Sequence, residues 1–152
     1  MSIVRWSLAW AGVSVLATLL LVSADTVLIH SIPIANEPPG GFLPTLGYNL
    51  AWFMKAIGGF IAIALLMAFA VGEGISRFLP VRLRTLVMMV AGACAIPVLF
   101  LAMKQAFFGV DILAGSRTAL GYAVQAGATG AVPGALFGWL TRRRRRSRYA
   151  VD

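Results

Sequence analysis

The sequence predicts an all-α integral membrane protein with four transmembrane helices in an up-down bundle. Of its 152 residues, 60% are hydrophobic and only 12% are charged. A soluble domain carries about 25% charged residues, so too few are present here to build a surface that faces water. Four apolar stretches each contain at least one uncharged run of 17 to 24 residues. Because roughly 20 apolar helical residues cross a bilayer, the expected spans are residues 6–27, 49–71, 86–106 and 119–141.

The first expected span has an alternative interpretation. Arg5 is followed by an apolar stretch and then by the small residues Val22, Ser23 and Ala24. This order is similar to a secretory signal peptide with a cleavage site, which would remove residues 1–24. The uncharged run of 19 residues is longer than the apolar region of about 7–15 residues in such peptides. A retained helix is therefore the favoured interpretation.

The segment that joins the first two spans, residues 28–48, holds four of the seven prolines. It also contains large apolar side chains, which are unusual in a solvated linker. We expect this segment to lie over the bundle, either as a stiff connection or as a lid or docking surface. The second span follows it and contains Lys55 about one turn from its outer end, where the long side chain can extend outward to water.

The third and fourth spans each contain a proline, Pro97 and Pro133, and a kink is expected near each. The fourth span also carries small residues at steps of four, three, four and four: Ala123, Gly127, Gly130, Gly134 and Gly138. In lipid, small residues allow two helices to approach closely. This stripe is expected to mediate helix packing, either against the third span or against a second membrane protein.

Charge is divided unequally between the two ends of the predicted bundle. The side with both termini holds ten bases and two acids, whereas the other side holds three of each. Basic residues next to spans stay in the cytoplasm, so both termini are expected there. Residues 1–141 are then the membrane domain, and residues 142–152 are a basic cytoplasmic tail. The residues expected to contact anionic lipid are Arg142, Arg143, Arg144, Arg145, Arg146 and Arg148. Because this run directly follows a span, nucleic-acid binding is not expected.

The remaining ionisable residues are expected near the outer face: Asp25, His30, Lys55, Lys104 and Asp111. The two carboxylates are expected to support the two lysines. None of the five is expected at the bilayer midplane, which argues against an ion-coupled carrier or a proton relay. A single cysteine and a single histidine provide no disulfide and no recognisable metal site, and no cofactor is expected.

The leading hypothesis for function is a non-catalytic accessory, assembly or scaffolding subunit of a membrane complex. The alternative is a small carrier, flippase or channel for an anionic or lipid-like solute, which would act as a homo-oligomer. A membrane enzyme would have only Asp25 and His30 as a plausible acid–base pair. With 11 arginines against two lysines, the composition favours a bacterial gene and the inner membrane.

Overall fold

The computed structural model describes residues 3–31, 41–80, 83–106, 121, 123 and 125–141. Every regular element in these residues is helical. In chain order the elements are α1 (Ile3–Ser31), α2 (Phe42–Ala56), α3 (Gly58–Ser76), α4 (Arg84–Ala106), the π-helix π1 (Gln125–Ala131) and α5 (Val132–Leu140).

Three of these helices are long and apolar enough to cross a membrane: Ile3–Leu28 within α1, Gly58–Ser76 and Arg84–Ala106. Each also leaves large apolar side chains exposed, including Leu8, Met67 and Val98. Such surfaces are unfavourable in water but suit a bilayer, where lipid covers them. The chain therefore has the features of a multi-pass helical membrane protein.

The second apolar stretch is divided between two helices. The sequence predicts a span at residues 49–71, whereas α2 ends at Ala56 and the long helix α3 begins at Gly58. Ile57 between them has a φ of −120° and a ψ of −22°, outside the usual helical range. Two glycines follow it, and glycine is a poor helix former in this position. Hydropathy alone shows no interruption here, because glycine is nearly neutral on such scales.

Helix α4 runs without interruption through Pro97, but the fourth apolar stretch changes its helical form. Residues 125–131 form π1, and α5 begins at Val132, one residue before Pro133. Proline has no N–H and cannot donate the α-helical bond to the carbonyl four residues earlier. A short π segment is one way in which a helix accommodates such a defect.

Packing brings the helices together around a shared core. Helix α4 lies against α3, π1 and α5, and α1 lies against α2, α3, π1 and α5. In the C-terminal halves of α3 and α5, the rings of Phe69 and Phe137 are stacked with centroids 4.3 Å apart. Trp6 meets the edge of Phe137 at 5.4 Å. Aromatic residues from α1, α3 and α5 thus fill one continuous core.

Candidate functional site

The closest helix contact in the molecule joins α5 and the end of π1 to α4. A Cβ placed on Gly134 would collide with the backbone carbonyl of Met88, and one on Gly138 would lie 2.9 Å from Thr85 Cα. Gly130 likewise faces the carbonyl of Gly92. Since these neighbours are backbone atoms, they cannot move aside as a flexible side chain can. Any larger residue at these three positions must push the helices apart.

The contact between Gly92 and Gly130 is reciprocal. A Cβ on either glycine would collide with the carbonyl oxygen of the other. One Cα–H of each glycine therefore points at the partner's carbonyl. Such C–H···O contacts recur between closely packed helices and are worth about 0.5–1 kcal/mol each. Gly92, which the sequence analysis did not single out, is as important to this contact as the glycines of the fourth span.

The other two members of the predicted stripe lie on a different face. Ala123 and Gly127 are exposed, and a Cβ on Gly127 would meet no heavy atom within 4 Å. The stripe was derived from the 3.6-residue period of an α-helix, but Gly127 and Gly130 lie inside π1, which has a longer period. A π-bulge is equivalent to about one inserted residue, which rotates the preceding face by about 100°. The small residues consequently divide into an inward group and an outward group.

Met88 is held in a socket of glycines on two neighbouring helices. Its side chain has no exposed surface. A Cβ placed on Gly72 of α3 would lie 3.1 Å from the Met88 sulfur. A Cβ placed on Gly138 of α5 would lie 3.1 Å from the Met88 Cβ. Methionine adapts to irregular gaps because it is unbranched and flexible. Met88 therefore joins α3, α4 and α5 near the basic end of the protein.

A charged cluster ties the helices together at that end. Arg84, the first residue of α4, donates from Nη1 to Glu73 Oε1 at 2.9 Å, and its Nη2 lies 2.5 Å from Glu73 Oε2. The side chains are only 12% and 25% exposed, respectively. Since both charges are largely removed from water, each side chain supplies the counter-charge that the other requires.

The same cluster includes α5 and α1. Arg84 Nη2 donates to Thr141 Oγ1 at 3.1 Å, and the fully buried Thr141 donates to the carbonyl of Phe137. Arg5 of α1 donates to the carbonyl of Leu140 at 2.7 Å. We call Arg5, Glu73, Arg84 and Thr141 the basic-end cluster. It joins the first turns of α1 and α4 to the last turns of α3 and α5.

The charges expected at the opposite end differ in their surroundings. Asp25 is only 3% exposed, because α1 continues beyond it and packs it inside the protein. The neighbouring Thr26 accepts a hydrogen bond from Asn49 Nδ2 of α2 at 3.3 Å. Lys55 is exposed in the last turn of α2, and Lys104 is half-buried in the last turn of α4. Lysine in a last helical turn is favoured by the helix dipole.

Several predicted residues lie outside the described part of the chain. These are Asp111, the side chain of His30, residues 32–40 of the 28–48 connection and the arginines of residues 142–148. The proposed pairing of Asp111 with a lysine therefore stays a prediction. Positions 25 and 30 of α1 are about 140° apart around the helix axis by the 3.6-residue period, which does not favour an acid–base pair.

Two cavities open between the helices. The larger has a volume of about 610 Å³ and runs between α3 and α4. Its floor is made of small residues, namely Ala68, Gly72, Ala91 and Ala95, and its rim includes Met67, Val98 and the exposed Cys94. The smaller one, about 230 Å³, lies beside the interruption at Ile57 and is lined in part by Ser14 and Thr18.

These sites suit packing and binding better than bond chemistry. Within the described residues, no three His, Cys, Asp or Glu side chains come together as a metal site. The hydroxyls of Ser14 and Thr18 donate to carbonyls of their own helix, so they are satisfied locally. Sequence reasoning missed the Glu73–Arg84 pair, although the separation of only 11 residues across the α3–α4 turn was a usable signal.

No protein-family model matches this chain, and neither the curated proteins nor the solved structures contain a significant match to it.

Proposed function

We propose that this chain is a four-span protein of the bacterial inner membrane, with an up-down arrangement of helices and both termini in the cytoplasm. The basic-end cluster supports this topology, because it joins two helix beginnings to two helix ends. The position of the arginines supports the orientation, since the side with both termini has all of the net charge of +8.

Its role in our proposal is that of a non-catalytic accessory subunit that binds another membrane protein. The observation that carries this proposal is the outward face of Ala123, Gly127 and Ala128, which are all exposed. Lipid chains are as apolar as side chains, so helices in a bilayer associate mainly through close packing. Small residues without an internal neighbour offer a second helix that close approach. The inward glycines Gly130, Gly134 and Gly138, by contrast, already contact α4.

The test compares a glycine and a valine of the same apolar stretch. Gly127→Leu should leave the thermal stability of the detergent-solubilised protein unchanged, because a Cβ there meets no atom within 4 Å. The same substitution should abolish association with the partner. The mass of the complex extracted gently from its native membrane reports this directly. Val132→Leu, at a site that is 52% exposed on α5, is the matched control and should retain the complex.

Two results of this experiment would count against the proposal. One is a wild-type protein that is extracted only as a monomer. The other is a heteromeric complex that survives Gly127→Leu, which would place the partner on another surface. A complex that contains only copies of this chain would favour the second candidate function.

That second candidate is a small oligomeric carrier or flippase for an anionic or lipid-like solute. The observation that favours it is the interruption between α2 and α3, which lies beside the cavity lined by Ser14 and Thr18. Transporter sites near the bilayer midplane are often built from discontinuous helices. Flux of a fluorescent phospholipid across proteoliposomes, lost in Thr18→Val but kept in Val132→Leu, would support this candidate.

A further inference from the structure

The groove between α3 and α4 has the shape of a site for one extended hydrocarbon chain. Small side chains form its floor and larger exposed ones, such as Met67 and Val98, form its rim. Its lining is almost wholly apolar. A volume of about 610 Å³ lies within the range of roughly 300–1,000 Å³ that is typical of ligand pockets in proteins.

The groove is long enough to hold an acyl chain across one leaflet of a bilayer. Its lining extends from Ala64 to Ile75 along α3 and from Leu86 to Ala102 along α4. At a rise of 1.5 Å per residue, these walls are about 17 Å and about 24 Å long. Half of a hydrocarbon core about 30 Å thick is about 15 Å, the depth that a lipid chain covers from its headgroup to the midplane. A chain that enters beside Ile75 would therefore lie along the whole α3 wall.

A cationic residue follows α3 close to one end of the groove. Ile75 and Leu86 line the groove where α3 ends and α4 begins. Glu73 balances the charge of Arg84 there, and the exposed Arg77 is the C-cap residue of α3, two positions after Ile75. The first N–H groups of α4 also point toward this end, and a helix N-terminus attracts phosphate. A phosphodiester at this mouth would thus meet a cationic side chain and a favourable helix dipole.

From these three observations we propose that the α3–α4 groove binds one anionic phospholipid, with an acyl chain between the two helices and its phosphate beside Arg77. The lipid fills space between α3 and α4 that side chains leave open. This site is separate from the outward face of Ala123 and Gly127, so either proposal can fail without the other.

The test measures which lipid the protein retains. Wild-type protein is placed in nanodiscs of equal parts phosphatidylglycerol and phosphatidylcholine, then transferred to mild detergent and weighed by native mass spectrometry. Three variants are compared: Cys94→Phe, which places a ring in the groove from an exposed position; Arg77→Gln, which removes the charge at the mouth; and Val132→Phe, an exposed control on α5.

We expect the wild type and Val132→Phe to retain one phosphatidylglycerol per chain. Cys94→Phe should lose the retained lipid, and Arg77→Gln should reduce the preference for phosphatidylglycerol by about fivefold. Absence of retained lipid in the wild type, retention in Cys94→Phe, or an unchanged preference in Arg77→Gln would overturn the proposal. So would a protein chain, instead of a lipid, that is bound in the wild type and lost in Cys94→Phe.

Discussion

Single glycines determine how closely α4 and α5 approach. Gly134 contacts the backbone of Met88 and Met89 directly, and Gly130 contacts Gly92 in the same way. In an isolated helix each glycine is unfavourable by about 1 kcal/mol relative to alanine. In the folded protein, however, each allows backbone-to-backbone packing that no other residue permits. The local preference and the tertiary contact therefore have opposite signs at these positions.

This opposition makes Gly134→Leu informative. Helix propensity predicts a more stable protein, because leucine is a better helix former than glycine. Packing predicts a loss of about 1–3 kcal/mol or more, since the new side chain has no space beside the Met88 carbonyl. We expect a clearly lower unfolding temperature in detergent, whereas Val132→Leu, on the exposed side of α5, should match the wild type. A Gly134→Leu protein as stable as its parent would mean that α4 and α5 do not pack as described.

The ion pair of Glu73 and Arg84 is a second test at the residue scale. Glu73→Gln keeps the shape of the side chain but leaves the largely buried guanidinium without its counter-charge. We expect a loss of about 1–3 kcal/mol in the free energy of unfolding, the usual cost of an unsatisfied buried group. Arg77→Gln, at an exposed position one helical turn away, should have little effect.

The coupling between the two side chains is measured by chemical denaturation in detergent. Three proteins are compared with the wild type: Glu73→Gln, Arg84→Gln and the double variant with both changes. Strictly additive effects would show that the pair contributes nothing to the basic-end cluster.

At the scale of elements, hydropathy predicted α1 and α4 well and the other spans less well. The expected third span, 86–106, nearly coincides with Arg84–Ala106. The charges at both ends of this long apolar run limit where the helix can begin and end. Hydropathy did not reveal the interruption at Ile57, where a local backbone distortion has no hydrophobic signature. The sequence also predicted that Ala123 and Gly127 share a face with Gly134, whereas both are exposed on a different face. A constant period of 3.6 residues cannot represent a π segment.

We expect Pro133 to be the cause of the π segment and of the rotation of the residues before it. In Pro133→Ala the missing N–H is restored, and we expect π1 to revert to α-helix. Position 127 would then turn by about 100°, toward the side that faces α4. In a Cys94→Ala background, Gly127→Cys should react readily with a membrane-permeant thiol reagent when Pro133 is present and slowly in Pro133→Ala. Equal reaction rates in the two proteins would show that the proline does not maintain π1.

At the scale of the whole molecule, two independent features favour the same topology. The basic-end cluster places the first turns of α1 and α4 beside the last turns of α3 and α5. The arginine distribution is the basis on which we propose that this same end is cytoplasmic. Residues 32–40 of the connection and the basic tail lie outside the described residues, so the roles of both segments stay predictions from the sequence. The partner could not be predicted either, because small residues favour close packing but do not specify a particular sequence.

The central claim of this account is the fourth span, since three helices in the described part of the chain satisfy the length and hydropathy of a membrane span by themselves. An even number of spans places the two termini on the same side, and an odd number separates them. The direct measurement is a pair of fusions, one at Met1 and one at Asp152, each with a reporter active only in the cytoplasm and with one active only outside it. We predict cytoplasmic activity and no external activity at both ends. External activity at Asp152, with a cytoplasmic Met1, would contradict the four-span topology and leave the chain with three spans.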